Sequence, residues 1–209
     1  MHSTRLPARG LYALTPDEPD DAKLINVAEA CLAGGAALLQ YRDKRRTFAA
    51  RSALATKLRL LCITYCCPLI INDDVALALA CGADGVHLGK EELESLPLAG
   101  VHKSQLLIGV SCYDSMIRAR AAISAGADYV AFGSIFSSST KPSATRCSFD
   151  LLRAAKQELT VPIVAIGGLT PENGRQVIEA GADFLAVING IFGQSDVQSA
   201  TAQYVSLFS

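Results

Sequence analysis

An excess of charge is the first thing the 209-residue sequence lacks: 19 Lys and Arg against 20 Asp and Glu leave a formal net charge of -1. With a pI of about 6.3, the chain has no global attraction to nucleic acid or to an anionic membrane, so any anion must be recognised locally. Long apolar runs are also missing. The longest, "LLCITYCCPLII", has twelve residues, against the roughly 20 that a membrane-spanning helix needs. The opening "MHSTRLPARG" has no apolar stretch of the signal-peptide kind. Cysteine is plentiful but unpatterned. The seven (Cys31, Cys62, Cys66, Cys67, Cys81, Cys112 and Cys147) are odd in number, with no CxxC pair and no zinc-type spacing with His. They read as small reduced core residues, and the protein is expected to be cytoplasmic, with no nucleic-acid or membrane partner. A homo-oligomer is compatible with the sequence.

What is present is apolar and periodic. Half of the chain, 50%, is hydrophobic and the mean hydropathy is +0.28, enough for one sizeable core. Residues 1–209 read as a single domain, with residues 1–9 as a flexible N-terminal tail. Eight short apolar runs, "GLYALT", "ALLQYR", "PLIIND", "GVHLG", "LLIGVS", "YVAFGSIF", "PIVAIGG" and "FLAVINGI", alternate with segments of helical spacing such as "DAKLINVAEACLAGG", "FAARSALATKLRLLC", "DSMIRARAAISAG" and "PENGRQVIEAG". Strands apolar on both faces suit a parallel sheet covered by helices, and eight such units closing on themselves predict a (β/α)8 TIM barrel, an α/β fold. A partial repeat agrees. "AGGAALLQ", "CGADGVHL", "AGADYVAF" and "AGADFLAV" each place Gly at a helix end before strands two, four, six and eight, where it can adopt the left-handed conformation that ends a helix. An open doubly wound sheet is the alternative. It would want a Gly-rich nucleotide fingerprint after strand one, and "ALTPDEPDD" is not one.

In a barrel of this kind the carboxyl ends of the strands form the catalytic mouth. Strand two runs into "QYRDK", where alternation puts Gln40, Arg42 and Lys44 on one face and Tyr41 and Asp43 on the other. One amide and two cations facing inward would make an anion pocket, although each residue alone also reads as an ordinary loop charge. The segment Arg42 to Arg59 holds seven of the nineteen Lys and Arg. Of these, Arg45, Arg46, Arg51, Lys57 and Arg59 read as a solvated helix face.

Strand three ends in Asn72 and Asp73, and strand four leads to Glu91 and Glu92. A carboxylate from each could hold Mg2+, while Asp73 or Asp74 is expected to cap the helix "VALALA". His87 reads as a packing residue. Ser137 to Arg146, with Lys141 at its centre, reads as a plain loop or a lid with phosphate-contacting side chains. The loops "AIGGLTPEN" and "VINGIFG" after strands seven and eight could bind a second phosphate through backbone N–H groups, or Gly167 and Gly168 could serve only a tight turn.

The motifs "LLQYRDK", "INDDVALALACGADGVHLGKEE", "IGVSCYD", "ADYVAFGSIFSSSTK", "IVAIGGLTPEN" and "ADFLAVINGIF" resemble, in order and from Leu11 to Phe192, those of the thiamine phosphate synthase family. The resemblance implies a transferase that joins an aminopyrimidine methanol diphosphate to thiazole phosphate with Mg2+, acting on small phosphorylated substrates. It implies that the pyrimidine diphosphate is bound around Gln40, Tyr41, Arg42, Asp43 and Lys44, with Asn72 and Ser111. Asp73 and Glu92 would hold the metal, and Lys141 would meet the leaving pyrophosphate, with Arg42 and Lys44 beside it. Ser138, Ser139 and Thr140, with Gly168, Ile188 and Asn189, would hold the thiazole phosphate. The chain departs from the family pattern at Lys90, Glu92, Ser134, the "SSST" run and Asn189. Two alternatives are a sister family of thiazole tautomerases, expected to carry a His where this chain has Cys112 and Tyr113, and a non-catalytic ligand-binding paralogue.

Overall fold

A computed structural model describes residues 6–89, 106–137 and 146–209. Eight parallel strands close into a barrel in sequence order: β1 (Gly10–Leu14), β2 (Leu38–Tyr41), β3 (Leu69–Asn72), β4 (Gly85–Leu88), β5 (Leu107–Tyr113), β6 (Tyr129–Gly133), β7 (Ile163–Ile166) and β8 (Phe184–Val187). Seven of the eight apolar runs contain a whole strand, the fifth strand extends two residues beyond its run to Tyr113, and β8 pairs back onto β1 through Phe184 beside Gly10. The described helices are α1 (Asp21–Ala33), α2 (Phe48–Thr64), α3 (Val75–Cys81), α4 (Met116–Ala125), α5 (Phe149–Glu158), α6 (Pro171–Glu179), α7 (Asn189–Phe192) and α8 (Val197–Val205).

Local chemistry explains where the helices start. Asp20, Thr47, Asp74, Ser115, Ser148, Thr170 and Asp196 each accept a hydrogen bond from a backbone N–H of the first turn that follows, and such caps stabilise a helix by about 1 kcal/mol.

Strand alternation makes two cores. Residues such as Leu39, Tyr41, Ile71, Val86, Val110, Phe132 and Leu185 point outward and pack under the helices. Tyr12, Leu38, Ile70, Tyr129, Val164 and Phe184 point inward and fill the barrel. Of the cysteines, Cys66 is exposed, and the other six are buried free thiols. The N-terminal segment is not simply a tail: Leu6 packs against the inner cluster, and the Arg9 guanidinium donates to the Phe208 carbonyl at 2.8 Å. Residues 1–5 lie outside the described residues.

The repeated turns do more than end helices. Gly35, Gly82, Gly126 and Gly181 all have positive φ. The acid that follows three of them reaches back to the preceding strand: Asp84, Asp128 and Asp183 accept from the N–H of Leu69, Ile108 and Ile163 at 2.8, 2.8 and 2.9 Å. This stitches β4 to β3, β6 to β5 and β8 to β7 at the end of the barrel away from the mouth.

The basic stretch is less solvated than its composition predicts. Arg46, Arg51 and Arg59 pair with Asp43, Asp74 and Asp84 at 2.5, 3.0 and 2.8 Å, tying α2 and its entry loop to their neighbours. Arg45 and Lys57 are exposed as expected.

The stitching acids should matter for stability. Asp128→Ala leaves the Ile108 N–H without its acceptor and is expected to cost about 1–3 kcal/mol in urea unfolding, whereas Asp128→Asn, which keeps an acceptor oxygen, should cost clearly less.

Candidate active site

At the carboxyl ends of the strands the barrel opens into a cavity of about 610 Å³. Gln40, Asn72 and Ser111 line it from β2, β3 and β5, Arg42 from just beyond β2, and Gly168, Ile188 and Asn189 from the segments that follow β7 and β8. A neighbouring cavity of about 690 Å³ shares Asn72 and holds Lys44 and Asp73.

The expected inward row on strand two is therefore divided. β2 ends at Tyr41, so alternation governs Gln40 but not the residues beyond. Gln40 is buried inside the barrel. Arg42 is aimed by the end of β1, where its N–H donates to Thr15 Oγ1 at 3.0 Å and its guanidinium pairs with Asp17 at 3.0 Å. Lys44 extends outside the central cavity, with its Nζ 3.7 Å from Asp73.

Tyr41 and Asp43 do not line the central cavity. The Tyr41 ring lies in the outer core, and its hydroxyl donates to Asp43 at 3.0 Å. Desolvation pushes the Asp43 carboxyl up, but the N–H groups of Arg45 and Arg46, the Arg46 guanidinium and the Tyr41 hydroxyl outweigh it and hold the pKa at about 2.

Asp74 is the cap of α3, accepting from the Leu77 N–H at 2.8 Å. Its neighbour Asp73 has φ 63°, a conformation that only a few non-glycine residues adopt, and its carboxylate accepts from Asn72 Nδ2 at 2.6 Å. Gly167 and Gly168 have φ 110° and 60°. A Cβ would stand 2.1 Å from Ser134 Oγ at the first position and 2.4 Å from the Ser137 carbonyl oxygen at the second. The turn and this close approach are sufficient reason for both glycines. Ser138, Ser139, Thr140, Lys141, Glu91 and Glu92 lie outside the described residues, although the flanks of the first group, Ser137 and Arg146, are hydrogen-bonded to each other.

The floor of the central cavity is a feature the sequence reading missed. Gln40 Nε2 donates to Tyr12 Oη at 2.7 Å, Tyr12 Oη and Tyr129 Oη are 2.8 Å apart, and His87 reaches Tyr129 Oη through Nδ1 at 3.1 Å and Ser111 Oγ through Nε2 at 2.9 Å. The residue read as packing is thus packed and also bonded at both ring nitrogens. Burial pushes its pKa down to about 4 and holds both tyrosine hydroxyls above the usual phenol value, so at neutral pH all three are uncharged. The available signal was inward-facing tyrosine in two strands, "GLYAL" and "YVAFG".

A closed parallel barrel with polar side chains and glycine loops gathered at its carboxyl-end mouth defines a TIM-barrel enzyme, with its site built from strand-end loops. A sequence model of the family described as thiamine monophosphate synthase matches residues 11–191. Thiamine-phosphate synthases are 47% identical over 199 residues in Thiobacillus denitrificans (95% of this chain, 94% of that one) and 49% over 200 residues in Azoarcus sp. (96% and 97%). The solved thiamine phosphate pyrophosphorylase of Pyrococcus furiosus superposes with a TM-score of 0.82 at 31% identity, covering 98% of this chain and 96% of that one. The chain belongs to the thiamine-phosphate synthase family and is an enzyme of thiamine biosynthesis.

The buried imidazole gives a pH prediction. Its pKa lies below the ordinary 6.5, so the unfolded chain takes up the proton first, and the stability it contributes is present above about pH 6.5 and is lost as pH falls towards about 4. The full effect is about 3 kcal/mol. Urea midpoints measured from neutral pH down to about pH 4.5 should fall, and His87→Gln should flatten that fall. Asp43 contributes in a lower window, losing its share only as pH drops from 3.8 through about 2.

Proposed function

We propose that the protein joins 4-amino-2-methyl-5-pyrimidinylmethyl diphosphate to thiazole phosphate, or its carboxylate, forming thiamine phosphate and pyrophosphate. The observation that carries this reading is the shared cavity of about 610 Å³, with Gln40, Arg42, Asn72 and Ser111 on or just beyond some of its strands and Gly168, Ile188 and Asn189 on the segments that follow others. One half offers a guanidinium and polar side chains for a diphosphate, and the other offers backbone and an amide for a monophosphate.

In the proposed step the bond between the methylene carbon and the bridging oxygen breaks first. Pyrophosphate leaves with the electron pair, the pyrimidine amino group stabilises the methylene cation, and the thiazole nitrogen then supplies the pair for the new carbon–nitrogen bond. The protein's main task is to meet departing negative charge, which is assigned to Arg42, Lys44 and Lys141. Neither a nucleophile nor a general base is required. The ring nitrogens of His87 are both engaged in hydrogen bonds and the two tyrosine hydroxyls stay protonated, so none of the three offers a free nucleophile to the cationic intermediate.

Asp73 and Glu92 are the proposed Mg2+ ligands. Among the described residues no group of three or more His, Cys, Asp or Glu is arranged to hold a metal. A partly exposed carboxylate at Asp73, beside Lys44, fits Mg2+, which takes one or two carboxylates and fills its shell with phosphate oxygens and water. When bound, the ion would supply positive charge at the diphosphate. A cytoplasmic location belongs to the same proposal and is supported by the seven free thiols.

Purified protein incubated with both phosphorylated precursors and Mg2+ is expected to form thiamine phosphate and pyrophosphate. EDTA should abolish turnover and added Mg2+ restore it. A protein that makes no thiamine phosphate would overturn the reading, and full activity in EDTA would overturn the role given to the metal. A charge met mainly in the transition state should appear in kcat, so Lys141→Ala should lower kcat by roughly 100-fold, about 3 kcal/mol, with a smaller rise in KM for the diphosphate. Normal kcat with weakened binding would make Lys141 a ground-state clamp.

A further inference from the structure

The floor of the cavity is one unbroken line of side chains from five strands: Gln40 on β2, Tyr12 on β1, Tyr129 on β6, His87 on β4 and Ser111 on β5. Gln40, Tyr12, His87 and Ser111 line the cavity, whereas Tyr129, between Tyr12 and His87, does not. The Tyr129 ring stacks on His87 with centroids 5.6 Å apart and fills the space left by Gly109, where a Cβ would fall 2.0 Å from its Cζ.

Each tyrosine hydroxyl carries one proton, and a neutral imidazole carries one N–H for its two nitrogens. With Gln40 Nε2 donating to Tyr12, one order keeps both tyrosine protons within the line. Tyr12 donates to Tyr129, Tyr129 donates to His87 Nδ1, and His87 Nε2–H donates to Ser111 Oγ. The Ser111 hydroxyl proton is then left for the cavity. At the other end Gln40 Oε1 is buried with no hydrogen-bond partner, on a side chain 1% exposed. A buried amide oxygen of this kind is destabilising until something donates to it.

We propose that Tyr12, Tyr129 and His87 are positioning residues that form a one-way hydrogen-bond relay, fixing Gln40 with its oxygen towards the substrate and Ser111 with its proton towards the substrate. The relay selects an occupant that brings an N–H donor to Gln40 and an acceptor to Ser111. An amino-substituted heterocycle carrying a phosphate ester has both groups. Reversing the Gln40 amide would reverse every proton in the line, so the two ends are set together. The substrate side of this inference rests on the function proposed above.

The first test needs no substrate. In protein labelled with nitrogen-15 histidine, the His87 resonances, identified by their loss in His87→Gln, should show the proton on Nε2; a proton on Nδ1 would overturn the relay's direction. The second test is kinetic. Tyr129→Phe cuts the line without altering the cavity lining and should raise KM for the pyrimidine diphosphate about tenfold, with KM for the thiazole phosphate changed less than about twofold. Equal rises in both, or no rise in a variant that melts like the parent, would overturn the proposal. His87→Gln can accept from Tyr129 and donate to Ser111 and should stay within about threefold of the parent, whereas His87→Leu should match Tyr129→Phe. Equal losses in the two His87 variants would overturn the proposal even where Tyr129→Phe fails to fold. Should the wild type make no thiamine phosphate, the proposed reaction fails, and the tautomer measurement still decides the relay.

Discussion

Closure of β8 onto β1 is the constraint on which the rest of the structure depends. A closed sheet has no free edge and no second layer inside it, so alternate residues of every strand must fill one narrow lumen with each other. The lower positions do this with apolar bulk at Leu38, Ile70 and Phe184. Nearer the mouth the lumen takes polar groups, and a polar group buried there must find its partner on another strand. Gln40, Tyr12, Tyr129, His87 and Ser111 satisfy one another in this way, with Gly109 supplying the room. The buried oxygen these bonds leave over, Gln40 Oε1, belongs to a residue that lines the cavity. Packing the barrel and preparing its floor for a ligand are thus one problem with one solution.

Properties carried by neighbouring residues could be read from the sequence. The eight strands, the glycine turns and the cap at Asp74 depend on spacings of a few positions, and all appear in the structure. The acid in the repeated turn was visible, but its purpose was not. Asp128 accepts from Ile108, twenty positions earlier, and only the fold brings them together. The relay is further out of reach, because Tyr12 and Tyr129 are 117 positions apart. Lys44 shows the opposite failure. A two-residue period was extended past the point where the strand stops, and β2 ends at Tyr41, so the loop rather than the pleat decides where that ammonium goes.

Charge is sorted by how completely each cation is satisfied. Arg46 donates to Asp43, to Asp21 and to the carbonyls of Glu18 and Pro19, and its side chain is only 15% exposed. Such a guanidinium fixes the loop before α2 and has little left to give. The side chain of Lys44 is 61% exposed, at 3.7 Å from Asp73, and Arg42 holds one carboxylate, Asp17, with both partners partly in water. Pairs exposed to this degree contribute about 0–1 kcal/mol, so trading a carboxylate for an incoming phosphate oxygen costs little. Of the cations beside the cavities, Arg42 and Lys44 are therefore the loosely held ones, whereas Arg46 and Arg51, which line the neighbouring cavity with Lys44, are held by Asp43 and Asp74. The basic cluster that looked uniform in sequence divides into residues that hold the scaffold and residues available to an anion.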